Sequence, residues 1–235
     1  MNASNPTKSL YDRISSAYDA IADVGEHQAR ERGLESLAVE PGERVLEIGY
    51  GTGHSLVELA KAAGETGHVC GVDISDGMYE VARQRLVAAG FEQRVELKVA
   101  GVPPLPYEDY VFDVVTMSFT LELFPLETIP VLLAEVRRVL KPGGRFGTVS
   151  MSTTPAGRKD SLLERTYKWM HQRFPHIVDC QPIDVTRFVT DAGFHITQHI
   201  EMEIWTMPVF VVVGTVEAAK SFPEGLRGCE PPPPV

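Results

Sequence analysis

Between residues 47 and 53 the chain reads Glu47-Ile48-Gly49-Tyr50-Gly51-Thr52-Gly53, with a glycine at every second position after a short apolar run. Glycines placed this way permit a tight strand-to-helix turn and let a ligand lie against bare backbone. The spacing is G-x-G-x-G, not the G-x-G-x-x-G of dinucleotide-binding turns. Glu47, just before the glycines, would repel a pyrophosphate and favour a ligand with positive charge. Twenty residues beyond Gly53, Asp73 closes the next apolar run. A carboxylate there can accept both hydroxyls of a ribose. The plainer alternative is that it caps a helix starting near Asp76. Ile74 and Met78 follow at a spacing suited to flanking an adenine ring.

These residues need elements that end where they stand. Residues 7–38 have Tyr11, Ile14, Ala17, Tyr18 and Ile21 at helical spacing and read as a polar N-terminal helical cap. Pro41-Gly42 then launches the strand RVLEIG. A helix follows over about 55–63, then the strand HVCGVDI and a helix over 76–89 that stops at Gly90. RVELKVA, FDVVTMSF and RFGTVSM are further strands, with a helix over 126–140 and a Lys141-Pro142-Gly143-Gly144 turn before the last of them. Residues 152–181 interrupt the alternation as an inserted lid, 183–192 form a helix, and HITQHIEME and PVFVVVGT should pair antiparallel. Residues 1–220 therefore read as one α/β domain, and 221–235 as a frayed tail. Strands alternating with helices demand a parallel sheet covered on both faces, with ligands at the strands' carboxyl ends where strand order reverses. That points to the loops after Ile48, Val72, Val99 and Met117.

The 235 residues carry a net charge of −10, which speaks against a protein that wraps nucleic acid through phosphate contacts. The charge is uneven. Residues 137–173 hold nine basic side chains against Asp160 and Glu164. Arg137, Arg138, Lys141 and Arg145 flank the turn before the fifth strand and read as plain surface. Arg158, Lys159, Arg165, Lys168 and Arg173 lie in the lid, where they could face an anionic acceptor or a lipid headgroup. Cys70, Cys180 and Cys229 lack any CxxC spacing, so neither a disulfide framework nor a metal site is expected. The N-terminus shows no apolar signal segment, and the longest apolar run is far short of a bilayer span. A cytoplasmic protein is expected, with peripheral membrane contact open.

VLEIGYGTGHS, GVDIS, LPYEDYVFDVV and LKPGGR occur in the order and spacing of class I S-adenosylmethionine-dependent methyltransferases. The chain resembles in particular the branch that includes the ubiquinone/menaquinone C-methyltransferases. YDRISSAYD is similar to that branch's cofactor-covering helix, so the resemblance spans roughly residues 11–146. It implies a three-layer sandwich around a seven-stranded, Rossmann-like sheet of order 3-2-1-4-5-7-6, strand 7 antiparallel. It also implies S-adenosylmethionine as cofactor, with S-adenosylhomocysteine as product. Gly49, Gly51 and Gly53 would pass beneath the methionine part, with Glu47 behind its amino-acid group. Asp73 would bind the ribose, and Ile74 and Met78 would sandwich the adenine. Ser118 and Phe119 would stand near the methyl donor, and Tyr11 and Tyr18 would close the pocket. Where the family often has an Asp for the adenine amino group, this chain has Gly101-Val102.

No residue announces itself as a general base; Glu122, His171 and His176 are the candidates. Tyr167, Trp169, Met170 and Phe174 could line an apolar acceptor pocket. The expected acceptor is a small or lipophilic molecule: quinone-like, a phospholipid amine or a specialised metabolite. A non-catalytic cofactor-binding module is the alternative, and an NAD-dependent oxidoreductase lacks its fingerprint here.

Overall fold

Seven strands form one sheet, and the burial of each follows its place in it. The computed structural model describes residues 24–153, 181–204 and 207–217. The central strands β1 (Arg44–Ile48), β2 (His68–Asp73) and β4 (Phe112–Ser118) are short apolar runs buried on both faces, as parallel strands under two helical layers must be. β3 (Val95–Val99) and β6 (His195–Ile204) are the edges and carry exposed polar residues. β5 (Leu140–Met151) and β7 (Met207–Thr215) fill the remaining places. The order is β3-β2-β1-β4-β5-β7-β6, with β7 antiparallel to both neighbours, as the resemblance implied.

The helices start and stop on local chemistry. α1 spans Val24–Leu37 and α2 spans His54–Ala63. α3 (Asp76–Ala89) is capped by Ser75, whose hydroxyl accepts from the Met78 amide at 3.1 Å. α4 (Ile129–Val139) opens with Pro130 in its first turn and buries Leu132, Leu133 and Val136. α5 (Val185–Asp191) is capped by Asp184. One core joins β1, β2, β4 and β5 to α4 and α5, a second joins the opposite face to α1, α2 and α3, and a smaller third packs Ala29 of α1 on Val149, Ile204, Val209 and Val211.

Two local features differ from the sequence reading. Lys141 to Gly144 lie within β5, not in a turn before it. Leu140 pairs with Phe112 and Arg145 with Val114, so the chain between them bulges. Lys141 Nζ reaches both Asp113 oxygens at 2.8 Å and pins that bulge. The basic residues around it are structural, not plain surface. Arg138 binds Glu135, Asp109 and the carbonyls of Leu105 and Tyr107. Arg137 donates to the Ala192 carbonyl.

Arg145 has the farthest reach. It grips both oxygens of Glu43 at 2.7 Å and the carbonyls of Leu37 and Ala38, which satisfies orphan acceptors at the end of α1. The helix also lies close on the sheet, for a Cβ on Gly33 would stand 2.4 Å from Val149 Cγ2. Replacing Arg145 by Ala should cost about 1–3 kcal/mol, because these part-buried acceptors lose charged donors. Urea unfolding measures this, and an unchanged midpoint would show that α1 is held by packing alone.

Candidate functional site

Strand order reverses between β1 and β4, and a cavity of about 660 Å³ opens there above their carboxyl ends. Its floor is the turn after β1. Gly49, Gly51 and Gly53 all have positive φ, at 73°, 51° and 80°. A Cβ on Gly49 would collide with Thr120 at 2.3 Å, so the turn rests directly on the loop after β4. A Cβ on Gly51 would meet nothing within 4 Å. The turn is therefore tight below and open above, the shape of a cradle for a ligand.

β2 delivers Asp73 to the wall of this cavity. Its Oδ2 accepts from the Gly51 amide at 2.9 Å and its Oδ1 from the Ser75 amide at 3.0 Å. Asp73 thus fixes the glycine turn, while Ser75 is the residue that caps α3. Ile74, Met78, Ala100 and Val102 continue the wall on that side. Gly101 is not among the lining residues, and neither is Gly53, whose Cβ would stand 2.9 Å from Ala82 on α3. Tyr50 turns its ring down against Gly71 and is 4% exposed, so it supports the cradle from below.

Ser118 and Phe119 line the cavity at the end of β4. Phe119 sits at φ 50°, a left-handed conformation that a bulky residue adopts only when its surroundings impose it. Its amide donates to the Val149 carbonyl at 2.7 Å. Two polar atoms on the lining are buried without a hydrogen-bond partner, Ser118 Oγ and Glu47 Oε2. Burial pushes the Glu47 carboxyl up to about 8, with Asp73 adding to the rise. A hydrogen bond with Ser55 and the charge of Arg30 pull against it. Arg30 and Glu26, one helical turn apart on α1, also line the cavity. Neither was singled out from the sequence, where only the helical cap over 7–38 signalled that this segment faces the site. His54, Thr120, Leu123, Phe124, Pro125 and Thr128 are further lining residues that carried no sequence signal.

Glu122 takes a different place from the one expected. It is 1% exposed, does not line the cavity, and lies in a 3₁₀ turn over Leu121–Leu123. The Met151 amide donates to its Oε1 and the Ser150 hydroxyl to its Oε2, both at 3.0 Å. Burial raises its carboxyl to about 7, and Glu26 adds to the rise. Glu122 ties the cavity-lining loop to β5. Tyr11, Tyr18, His171 and His176 lie outside the described residues, as do nearly all of the expected lid over 152–181, its five basic side chains and the tail over 221–235.

Residues 45–144, which include the cradle, Asp73 and the loop after β4, match the family described as "Methyltransferase domain". The chain is 37% identical over 144 residues to a demethylmenaquinone methyltransferase of Symbiobacterium thermophilum, a match covering 59% of this chain and 56% of that relative. It is 35% identical over 145 residues to a 2-phytyl-1,4-naphtoquinone methyltransferase of Trichormus variabilis, covering 60% and 62%. The chain thus spans less than two thirds of the length of these relatives. Its fold is that of a SAM-dependent methyltransferase from Aquifex aeolicus (TM-score 0.59, 21% identity, 86% of this chain and 98% of that one). It is also that of the [4+2]-cyclase SpnF (TM-score 0.71, 15% identity, 91% and 96%).

The cradle fits S-adenosylmethionine on three observations. Space stands open over Gly51, the Asp73 carboxylate lies beside it, and unpartnered Glu47 and Ser118 oxygens line the same cavity. The sign of the Glu47 shift has a measurable consequence. With its folded value raised, the carboxyl keeps a proton that the unfolded chain gives up, so stability falls as pH rises from about 5 to about 8. Glu47→Gln cannot ionise and should lose less. The stability of the variant relative to wild type should rise by roughly 2–4 kcal/mol over that range, read by urea unfolding. A constant gap would show that Glu47 ionises in the fold as freely as in water.

Proposed function

We propose that the chain transfers a methyl group from S-adenosylmethionine to a small, lipophilic acceptor, with a quinol-like ring the leading candidate. The observation that carries this is the cavity itself: an open glycine cradle beside Asp73, with buried, unpartnered oxygens on its lining. The quinone-related names of the relatives support the acceptor class. The proposal includes one methyltransferase domain over 1–220, with 152–181 beside the acceptor.

Bound S-adenosylmethionine supplies a methyl group already activated on a cationic sulfonium sulfur. The chain's residues have to bind, orient and exclude water. Asp73 would accept the ribose hydroxyls, and Ile74, Met78 and Val102 would bracket the adenine. The Gly49–Gly51 backbone would pass beneath the methionine part, and Glu47 would orient its cationic amino end. Ser118 and Phe119, which line the cavity at the end of β4, would stand near the reacting methyl. Leu123, Phe124 and Pro125 supply apolar surface for an acceptor ring on the loop that Glu122 anchors, so Glu122 is a positioning residue. Holding acceptor and methyl in line contributes up to about 7–11 kcal/mol in favourable cases, and drying the cavity adds to it. A carbon or phenol acceptor also needs a base for the proton it sheds, and His171 and His176 are our candidates for it.

One structural neighbour is named as a cyclase, and shared fold does not decide reaction. The second reading is therefore a cofactor-binding module without methyl transfer. Asp73→Ala should weaken S-adenosylhomocysteine binding at least about 10-fold by calorimetry, since two hydroxyls lose a charged acceptor. Unchanged affinity would refute the ribose assignment. Transfer of labelled methyl to quinols, phenols, amines or lipids should appear for quinol-like rings. Tight cofactor binding with no transfer to any of these classes would establish the second reading.

A further inference from the structure

At the opposite end of β2 from Asp73, three side chains of different chemistry converge. His68 and Cys70 stand two residues apart on β2 and so point to the same face of the sheet. Glu96 on β3 is the register partner of Cys70. One donor atom from each lies within 4.8 Å of the other two. A single oxygen, Glu96 Oε2, faces both partners, at 3.8 Å from His68 Nε2 and 4.0 Å from Cys70 Sγ. The other oxygen, Oε1, is held by Lys98 Nζ at 3.3 Å, and that ammonium also rests over the Tyr107 ring and donates to the Pro106 carbonyl.

The separations decide what the cluster suits. They are too long for a good hydrogen bond between histidine and carboxylate, and at the outer limit for a thiol. They are close to the donor spacing around a tetrahedral zinc ion. Bonds of about 2.0–2.3 Å to nitrogen, oxygen and sulfur put the ligand atoms about 3.3–3.8 Å apart. Small rotations of the half-exposed His68 and Glu96 side chains close the remaining gap. The mixed nitrogen, sulfur and oxygen set favours zinc over hard ions such as magnesium or calcium. The same exposed side chains leave a path from solvent, while Cys70 is 1% exposed.

We propose that His68, Cys70 and Glu96 form a zinc site with water as a fourth ligand, which staples edge strand β3 to β2. Binding exchanges the Cys70 thiol proton, released to solvent, for a zinc–sulfur bond. Neutral imidazole, thiolate and carboxylate then balance the ion's two positive charges. The site lies about 10–16 Å along β2 from Asp73, from three residues (Cys70) to five (His68) at about 3.3 Å each, so its role is structural and not catalytic.

The test uses the full chain, stripped of metal, with Cys180 and Cys229 replaced by Ser so that their thiols do not compete. Competition with a zinc-binding dye should give one ion per chain. Cobalt in place of zinc should give the near-ultraviolet absorption of a thiolate–metal bond. Glu96→Gln and His68→Asn, at part-exposed positions, should each weaken zinc binding at least about 10-fold, and zinc should raise the unfolding temperature of the parent more than theirs. Cys70→Ala should abolish the cobalt band; if that variant does not fold, the other two carry the test. No saturable ion, no thiolate band in the parent, or affinity unchanged in Glu96→Gln and His68→Asn would each overturn the site.

Discussion

The site depends on one steric constraint. Gly49 has no room for a side chain because Thr120 fills the space beneath it, and Gly51 has empty space above. Both sit at positive φ, which glycine tolerates without strain. The turn can therefore lie flat on the loop after β4 and present bare backbone to the cavity. Asp73 reinforces it from β2 through the Gly51 amide. The three strands that meet at the reversal of strand order are thus locked together by a glycine turn, one threonine and one carboxylate.

Two buried carboxyls stand close to this turn, and their costs differ. Glu122 is satisfied by Ser150 and the Met151 amide, so its burial is compensated and it serves as a tie between the cavity loop and β5. Glu47 keeps one oxygen without a partner, which in an isolated fold is a penalty. A cationic ligand would remove that penalty by restoring the carboxylate and giving it a partner. The most expensive group in the site is then the one best matched to a positively charged donor. Raised carboxyl values are common where function needs them, and here the cause is burial more than charge crowding.

The sheet was legible in the sequence because each central strand is a short apolar run ended by glycine or a cap, and this pattern survives folding. The cradle was legible for the same reason, since Gly49, Gly51 and Asp73 stand at strand ends whose order follows from the alternation. What local pattern could not show was pairing between distant residues. Nothing near Arg145 says that it grips Glu43 and the end of α1, about a hundred residues earlier. Nothing near Glu122 says that β5 will bury it. Glu26 and Arg30 look like ordinary exposed charges on a polar helix until α1 is laid over the cavity. The cluster of His68, Cys70 and Glu96 is hidden likewise, because its third member joins only through the parallel register of β2 and β3.

Residues 45–144 resemble a methyltransferase domain and the fold is shared with a cyclase, so the chemistry lies with the cavity. The most direct measurement is a crystal structure of the full chain with S-adenosylhomocysteine. The expected result places the ribose hydroxyls within hydrogen-bond distance of Asp73, the adenine between Ile74 and Met78, and the amino-acid end over Gly51 beside Glu47. A ligand bound elsewhere, or in this cavity with Asp73 and the glycine turn untouched, would contradict the account.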